Sequence, residues 1–144
     1  MIRRRSAKVL VLDAQGCVLL FRGGDPLSPD DGTWWFPPGG GVEGDETDEQ
    51  AAIRELREET GLRVSDVGSP VGIRRVTFEF GEDLMDSDEV YFLIKVPRFK
   101  VESTGWTELE RRTIVEHRWW STQALEATTE TVYPEELLQW LGEV

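Results

Sequence analysis

Three glutamates, Glu55, Glu58 and Glu59, are spaced to lie on one face of a predicted helix. At about 100° per residue, positions i, i+3 and i+4 fall within an arc of about 100°. Carboxylates at this spacing repel one another, so the helix either exposes them to solvent or holds a cation between them. Mg²⁺ and Mn²⁺ prefer oxygen ligands, and Mg²⁺ commonly joins a few carboxylates to substrate phosphates. The spacing alone leaves two interpretations, a solvated helix face and a metal site.

The overall charge of the chain leaves the same two interpretations. Its 144 residues carry a formal net charge of −12, from 16 Lys and Arg against 28 Asp and Glu. The length predicts one domain over residues 1–144, and the 39% hydrophobic content is enough for a core. The excess of acidic residues argues against binding to polymeric nucleic acid or to an anionic membrane, since both attract basic faces. A small phosphorylated ligand remains compatible if a cation neutralises it.

Cysteine content and hydropathy indicate an intracellular protein. Cys17 is the single cysteine, which excludes an internal disulfide and a cysteine-based zinc site. The apolar run at residues 9–12 is too short for a signal peptide, and no stretch approaches the roughly 18 apolar residues of a membrane span. We therefore expect a cytoplasmic location and no membrane partner.

The three glutamates need a helix that follows a glycine-rich segment. Residues 45–60 are predicted to be helical, with Asp45 as the N-cap and Gly61 at the C-terminal stop. The glycines at residues 39–41 predict a loop shortly before this helix.

Strands are expected to surround this helix. Apolar runs predict them, in chain order, at residues 7–12, 17–21, 33–36, within 62–80, at 89–96 and at 113–120. The first two strands form a hairpin, and residues 81–88 predict a solvated polar turn. Further helices are predicted at residues 121–126 and 134–141. Strands and helices that mix without strict alternation predict an α+β fold with a mixed sheet.

The sequence around the glutamates carries a more specific motif. Gly40 precedes Glu46 by six positions and Glu46 precedes Arg54 by eight, and the run Arg54-Glu55-Leu56-Arg57-Glu58-Glu59-Thr60-Gly61-Leu62 follows. This arrangement resembles the Nudix box, which is Gly, five residues, Glu, seven residues, then Arg-Glu-apolar-any-Glu-Glu-any-Gly-apolar. Every fixed position is matched, a coincidence expected on the order of 10⁻⁹ per window at ordinary residue frequencies. The approach Trp35-Phe36-Pro37-Pro38-Gly39-Gly40 and the later Arg118-Trp119-Trp120 also look like this family.

The resemblance implies the Nudix fold, an α/β/α sandwich around a mixed sheet, and the activity of a Nudix pyrophosphohydrolase. Enzymes of this family cleave nucleoside diphosphates linked to another moiety at a phosphoanhydride, and they use Mg²⁺ or Mn²⁺. Carried over by position, the metal ligands would be Glu55, Glu58, Glu59 and the main-chain carbonyl of Gly39. Arg54 would orient the helix carboxylates, and Glu46 would support them near the metal or paired with Arg54.

The resemblance also makes Glu58, Arg54 and Glu55 the catalytic residues. A phosphoanhydride carries dense negative charge, so cations that bridge carboxylates and phosphates would shield an attacking water and acidify it. A neighbouring carboxylate then removes the proton. The candidate bases are Glu58 and, from later in the chain, Glu108, Glu110 and Glu116, each of which is by itself more simply a surface charge.

Aromatic and basic residues supply candidate substrate contacts. Trp34 could stack on a base, and Phe78 is a weaker candidate, although such residues belong more often to a core. The arginines at residues 3–5 are expected to form a solvated tail, from which one arginine could meet a phosphate. His117, the single histidine, is expected to pack or to face solvent.

A nucleoside triphosphate, ordinary or oxidised, is the expected substrate, hydrolysed to the monophosphate and pyrophosphate. Residues 78–80 lack the markers that some subfamilies carry after the box for ADP-ribose or dinucleoside polyphosphates. The alternatives are hydrolysis of those compounds or of a nucleotide sugar, and a non-catalytic nucleotide-binding Nudix domain, which need not retain the glutamates. The resemblance also allows a homodimer, which small members of the family often form.

Overall fold

A mixed β-sheet forms the centre of the computed structural model, which describes residues 2–143. Its strands are β1 Ile2–Leu12, β2 Val18–Gly23, β3 Trp34–Phe36, β4 Gly39–Gly41, β5 Gly72–Phe80, β6 Asp83–Lys95 and β7 Ile114–Trp120. The strand order is β3-β2-β1-β6-β5, with β4 beside β1 and β7 beside β2. Strands β1 and β6 run parallel, and the other pairs are antiparallel. The sheet is therefore mixed, as predicted.

Helices cover both faces of this sheet. They are α1 Asp48–Thr60, α2 Glu108–Thr113, α3 Thr122–Ala127 and α4 Leu137–Gly142, and a short 3₁₀ turn spans Pro29–Asp31. On β1, Val9 and Val11 pack in a core with α1, whereas Leu10 and Leu12 pack with α3 and α4 on the opposite face. This layering confirms the predicted α/β/α sandwich. None of the helices between residues 2 and 143 is long and apolar enough to cross a membrane.

Helix α1 begins later than predicted. Its N-cap is Thr47 and not Asp45, because the Thr47 hydroxyl accepts a hydrogen bond from Gln50 N–H and the Gln50 side chain accepts one from Thr47 N–H. This capping box satisfies main-chain donors that have no partner inside the helix. Gly61 ends the helix as predicted, with a φ of 82° in the left-handed region.

The three glycines before α1 form a strand and not the predicted loop. Strand β4 pairs antiparallel with residues 6–8 of β1. Glycine is a poor strand former because it has no side chain to pack, so the local sequence does not predict this strand. The lack of side chains also lets α1 approach the backbone of β4 closely.

Strand β6 is longer than predicted, and two predictions about its surroundings are wrong. Strand β6 begins at Asp83, so the polar turn predicted at residues 81–88 shrinks to its first two residues. The arginines at residues 3–5 lie in β1 and pair with β6, so the expectation of a solvated tail is wrong.

Ion pairs between neighbouring strands explain this longer hairpin. Arg3 of β1 lies 3.6 Å from Asp86 of β6, and Arg75 of β5 lies 2.7 Å from Asp88 of β6. Opposite charges on neighbouring strands offset the repulsion within an acidic segment. Residues that look like a turn in the sequence therefore extend as a strand.

The remaining predicted elements agree with the structure to varying degrees. Strands β1 and β2 form the predicted hairpin, and Ser121 caps α3. Irregular structure precedes β5 from residue 62 to residue 71, and the last helix begins at Leu137, later than predicted. Helix α2, which carries Glu110, was not predicted.

Candidate metal centre

Three carboxylates from two helices converge beside the C-terminal half of α1. Glu55 and Glu59 come from α1 and Glu110 comes from α2, and each offers an oxygen within 4.8 Å of the others. Glu59 is 2% exposed, and the side chain of Glu55 is 12% exposed. We call this set the carboxylate cluster. The helical spacing of Glu55 and Glu59 anticipates two of its members, and the fold adds the third.

Strand β4 holds two of these carboxylates against its backbone. The main-chain N–H of Gly39 donates to Glu59 Oε1 at 2.9 Å. A Cβ on Gly40 would lie 2.5 Å from the carboxyl carbon of Glu55, which is closer than real Cβ contacts. Glycine at position 40 is therefore required if Glu55 is to keep this position. The contact that Gly39 makes is through its N–H, and its carbonyl stays a predicted metal ligand.

Arg54 connects the acidic residues around the cluster. Its Nε and Nη2 donate to the two oxygens of Glu46 at 2.7 and 2.9 Å. Its Nη1 donates to Glu55 Oε1 at 2.9 Å and to Glu58 Oε2 at 3.2 Å. Its Nη2 also donates to the carbonyl of Gly41 at 2.9 Å. The Arg54 side chain is 17% exposed. Its charge-assisted hydrogen bonds connect strand β4, the loop that contains Glu46, and helix α1.

The carboxylates of the cluster disfavour one another's ionised forms. Burial raises the pKa of Glu59 well above its usual range, and the charge of Glu110 raises it further, against the opposing charge of Lys8. Burial also raises the pKa of Glu55, although the hydrogen bond and charge of Arg54 oppose this rise. A divalent cation would favour the ionised forms of all three, and oxygen donors are the ligands that Mg²⁺ and Mn²⁺ prefer.

The other candidate glutamates are not members of the cluster, although Glu58 shares the Arg54 Nη1 with Glu55. Glu58, which the resemblance makes a metal ligand and a base, is not among its three members, and its side chain is 35% exposed. Glu116 is ion-paired with Arg22 at 2.8 Å, and Glu108 is exposed at the start of α2. Of the later glutamates considered as bases, Glu110 is the one that the fold brings to α1.

The segment before α2 attaches Glu110 to the end of α1. Trp106 Nε1 donates to the main-chain carbonyl of Glu59 at 2.7 Å. Glu110 closes a capping box, since its Oε1 accepts a hydrogen bond from the N–H of Thr107 at 2.8 Å. A Thr followed three positions later by Glu is a sequence signature of a helix start, and this signal could have revealed α2 and its glutamate.

The two predicted substrate contacts lie in different surroundings. Trp34 of β3 is half-buried, and its ring lies edge-on to Tyr133 with a centroid distance of 6.5 Å. Phe78 of β5 is 36% exposed and lies opposite Met85 of β6. Both remain predicted substrate contacts. His117 is exposed on β7, in agreement with one of its two expected positions.

A family model matches the chain over nearly its whole length. The family model described as NUDIX domain matches residues 2–141. A curated relative from Gluconacetobacter diazotrophicus, RNA pyrophosphohydrolase, is 43% identical over 61 residues, which cover 40% of this chain and 36% of that protein. This chain therefore spans little more than a third of the length of that relative.

Solved structures share the fold. The MutT protein from Methanosarcina mazei Go1 is similar with a TM-score of 0.69 and 23% identity, over 99% of this chain and 92% of that one. The MutT NUDIX hydrolase from Burkholderia pseudomallei is similar with a TM-score of 0.70 and 16% identity, over 100% of this chain and 99% of that one. At these identities the likeness establishes the architecture.

Proposed function

Because the chain belongs to the Nudix family of hydrolases, we propose that it cleaves a phosphoanhydride bond in a nucleoside diphosphate-linked compound, with the help of a divalent cation. The substrate that we propose is a nucleoside triphosphate, ordinary or oxidised, which gives the monophosphate and pyrophosphate. The name of the curated relative supports pyrophosphate chemistry on a nucleotide-type compound.

The carboxylate cluster of Glu55, Glu59 and Glu110 carries this proposal. Its oxygens are the ligand type that Mg²⁺ and Mn²⁺ prefer, and burial disfavours the ionised forms of Glu55 and Glu59 unless a positive charge compensates. The donor set therefore fits Mg²⁺ or Mn²⁺. When bound, such a cation would neutralise phosphate oxygens and make water a stronger nucleophile at neutral pH.

Residues of the chain would orient the attacking water and take its proton. In the reaction, the water oxygen bonds to one phosphorus while the anhydride P–O bond breaks, and the leaving phosphate keeps the electron pair. We assign the proton to Glu58 Oε1, which accepts no hydrogen bond from the described residues, whereas Oε2 is held by Arg54. Glu46, bonded to the same arginine through both its oxygens, fixes the direction of the guanidinium.

A hydrolysis screen with Mg²⁺, in which the products are identified by chromatography, tests the proposal. The panel contains nucleoside triphosphates, oxidised nucleotides, ADP-ribose, dinucleoside polyphosphates, nucleotide sugars and an RNA with a 5′-triphosphate, and each compound is repeated with a chelator. We expect pyrophosphate from a nucleoside triphosphate, and we expect the chelator to abolish it. Preference for ADP-ribose, a dinucleoside polyphosphate or a nucleotide sugar would replace the proposed substrate and keep the proposed bond cleavage.

Two outcomes would overturn the proposal more deeply. Hydrolysis of the RNA alone would indicate a polymeric substrate, of the kind that the name of the curated relative gives for that protein. Nucleotide binding without hydrolysis of any compound in the panel would indicate a non-catalytic nucleotide-binding domain.

The proposal includes the setting in which the enzyme works. We propose a small phosphorylated partner, no membrane or polymeric nucleic acid partner, and a cytoplasmic location, in keeping with the formal net charge of −12. Sedimentation equilibrium would test whether the chain forms the homodimer that the family resemblance allows.

A further inference from the structure

Two basic side chains of β1 lie beside the glycine strand β4. Arg4 Nη2 lies 3.4 Å from the position of a Cβ on Gly41, and Lys8 Cδ lies 2.6 Å from the position of a Cβ on Gly39. Alternate residues of a strand face the same side, so Arg4 and Lys8 share one face of β1. Arg5 lies between them in the strand and points to the opposite face, because it forms an ion pair with α1.

The two basic side chains differ in their ion pairing from the other basic residues of β1. Arg4 and Lys8 form no ion pair among residues 2–143, although the chain carries a formal net charge of −12. Arg3 and Arg5 of the same strand are both ion-paired. Two cations that form no ion pair in so acidic a protein are available for a negatively charged ligand.

Strand β4 separates these cations from the carboxylate cluster by the thickness of one backbone. Gly40 faces the carboxylate of Glu55, whereas the glycines on either side of it face Lys8 and Arg4. Among the described residues β4 pairs with β1 alone, and the Gly39 N–H and the Gly41 carbonyl bond Glu59 and Arg54 instead of a second strand. Lys8 is also close enough to Glu59 for its charge to act on that carboxylate.

We infer that Arg4 and Lys8 bind phosphate oxygens of the substrate, on the face of β4 opposite the carboxylate cluster. The inference rests on the proposed function. A polyphosphate lying across the edge of β4 that pairs with no strand would meet the carboxylate cluster on one side and the two basic side chains on the other. Hydrogen bonds from charged donors to phosphate are stronger than neutral ones. Arg4 and Lys8 therefore favour a substrate with a chain of phosphates over one with a single phosphate.

Calorimetric binding of inorganic imidotriphosphate in Mg²⁺ tests the inference, since the imido bridges of this tripolyphosphate analogue resist hydrolysis. Arg4→Ala and Lys8→Met are each expected to weaken binding about tenfold, through the loss of one charge-assisted contact. Arg3→Ala is the matched control, because it removes the same charge from the opposite face of the same strand. We expect it to change the affinity by less than about twofold, as for a surface charge.

Steady-state kinetics with a hydrolysed nucleotide supplies a readout that a structural role would not reproduce. Both variants should raise KM about tenfold. Arg4→Ala should also leave kcat within about twofold, because it removes a contact that is equally strong in the bound substrate and in the transition state. Lys8→Arg should recover most of the affinity lost in Lys8→Met. Arg4 is exposed, so Arg4→Ala keeps the test valid even if thermal unfolding shows that Lys8→Met is unstable.

The outcomes separate this inference from the proposed function. Equal affinity of wild type, Arg4→Ala and Lys8→Met for imidotriphosphate would overturn the inference and leave the proposed hydrolysis standing. An equal loss of affinity in Arg3→Ala would also overturn the inference, because the overall charge of the protein would then explain the binding. The expected pattern of affinities in a protein that hydrolyses none of the panel would support the inference and contradict the proposed function.

Discussion

Trp106 Nε1 donates a hydrogen bond of 2.7 Å to the main-chain carbonyl of Glu59. This bond attaches the segment before α2 to the last turns of α1. Helix α2 then brings Glu110 to the carboxylates of Glu55 and Glu59. The position of Glu110 in the cluster therefore depends on the hydrogen bond from the Trp106 indole to the backbone of Glu59.

Replacing Trp106 with Phe should loosen this attachment and keep an aromatic ring against Phe21, which meets Trp106 edge-on at a centroid distance of 5.8 Å. We expect the free energy of unfolding to fall by about 1 kcal/mol, the usual net value of a hydrogen bond. The affinity for Mn²⁺ should also fall, because Glu110 is held less firmly. Thermal unfolding and calorimetry with Mn²⁺ measure the two effects. Trp119→Phe, whose ring packs on Phe99, is the control, and unchanged Mn²⁺ affinity in Trp106→Phe would contradict the assigned role.

Removing a carboxylate from the cluster should abolish most of the activity and leave the fold intact. Glu59→Gln and Glu110→Gln should each lower kcat by a factor on the order of 100 or more, because each removes a charge that holds the cation. Without added metal, Glu59→Gln should be at least as stable as wild type, since burial already disfavours its ionised form. Glu108→Gln, exposed on the same helix α2, is the matched control. Near-normal hydrolysis by both cluster variants would rule out the metal assignment.

Gly40→Ala should displace Glu55 more than it destabilises the protein. The new Cβ would lie 2.5 Å from the carboxyl carbon of Glu55, which is the mobile end of a side chain and can move away. We expect a loss of about 1 kcal/mol or less in the free energy of unfolding, together with a large loss of Mg²⁺-dependent activity. Gly41→Ala is the control in the same strand, because its Cβ would meet only the guanidinium of Arg4 at 3.4 Å. Equal activity losses in the two variants would show that β4, and not Glu55, is what the substitution disturbs.

The pair of Glu46 and Arg54 should make stability depend on acid pH. Hydrogen bonds from Arg54 lower the pKa of Glu46 from its ordinary value of 4.5 to about 2. Because the pKa is lower in the folded state, the pair contributes its full stability above about pH 4.5 and loses it as the pH falls toward 2. Glu46→Gln should therefore be less stable than wild type near neutral pH and equally stable near pH 2. Urea unfolding across this range measures the gap, with the exposed Glu49→Gln as control, and a gap that does not change with pH would contradict the prediction.

Signals that span a few residues predicted their elements correctly. Glu55 and Glu59 lie about one helical turn apart, so an α-helix places them together whatever surrounds it. Gly61 ends α1 because the left-handed conformation that it adopts there is favourable for glycine.

Predictions failed where pairing between distant segments outweighed local preference. Residues 39–41 form a strand because β1 offers them partners, although three glycines by themselves favour a loop. The acidic start of β6 is extended because Arg3 and Arg75 on the neighbouring strands offset its charge. Such partners cannot be identified before the strand order is known.

The sequence by itself determined the family, the helix that carries the glutamates, and the expectation of a cation acting on phosphates, because these depend on residue types at fixed short spacings. Only the tertiary structure decided which residues join that helix at the site. Glu110 completes the carboxylate cluster, and Arg4 and Lys8 face the other side of β4. Side chains that are far apart in the chain meet only when the sheet and the helices pack, and no local spacing encodes where that happens.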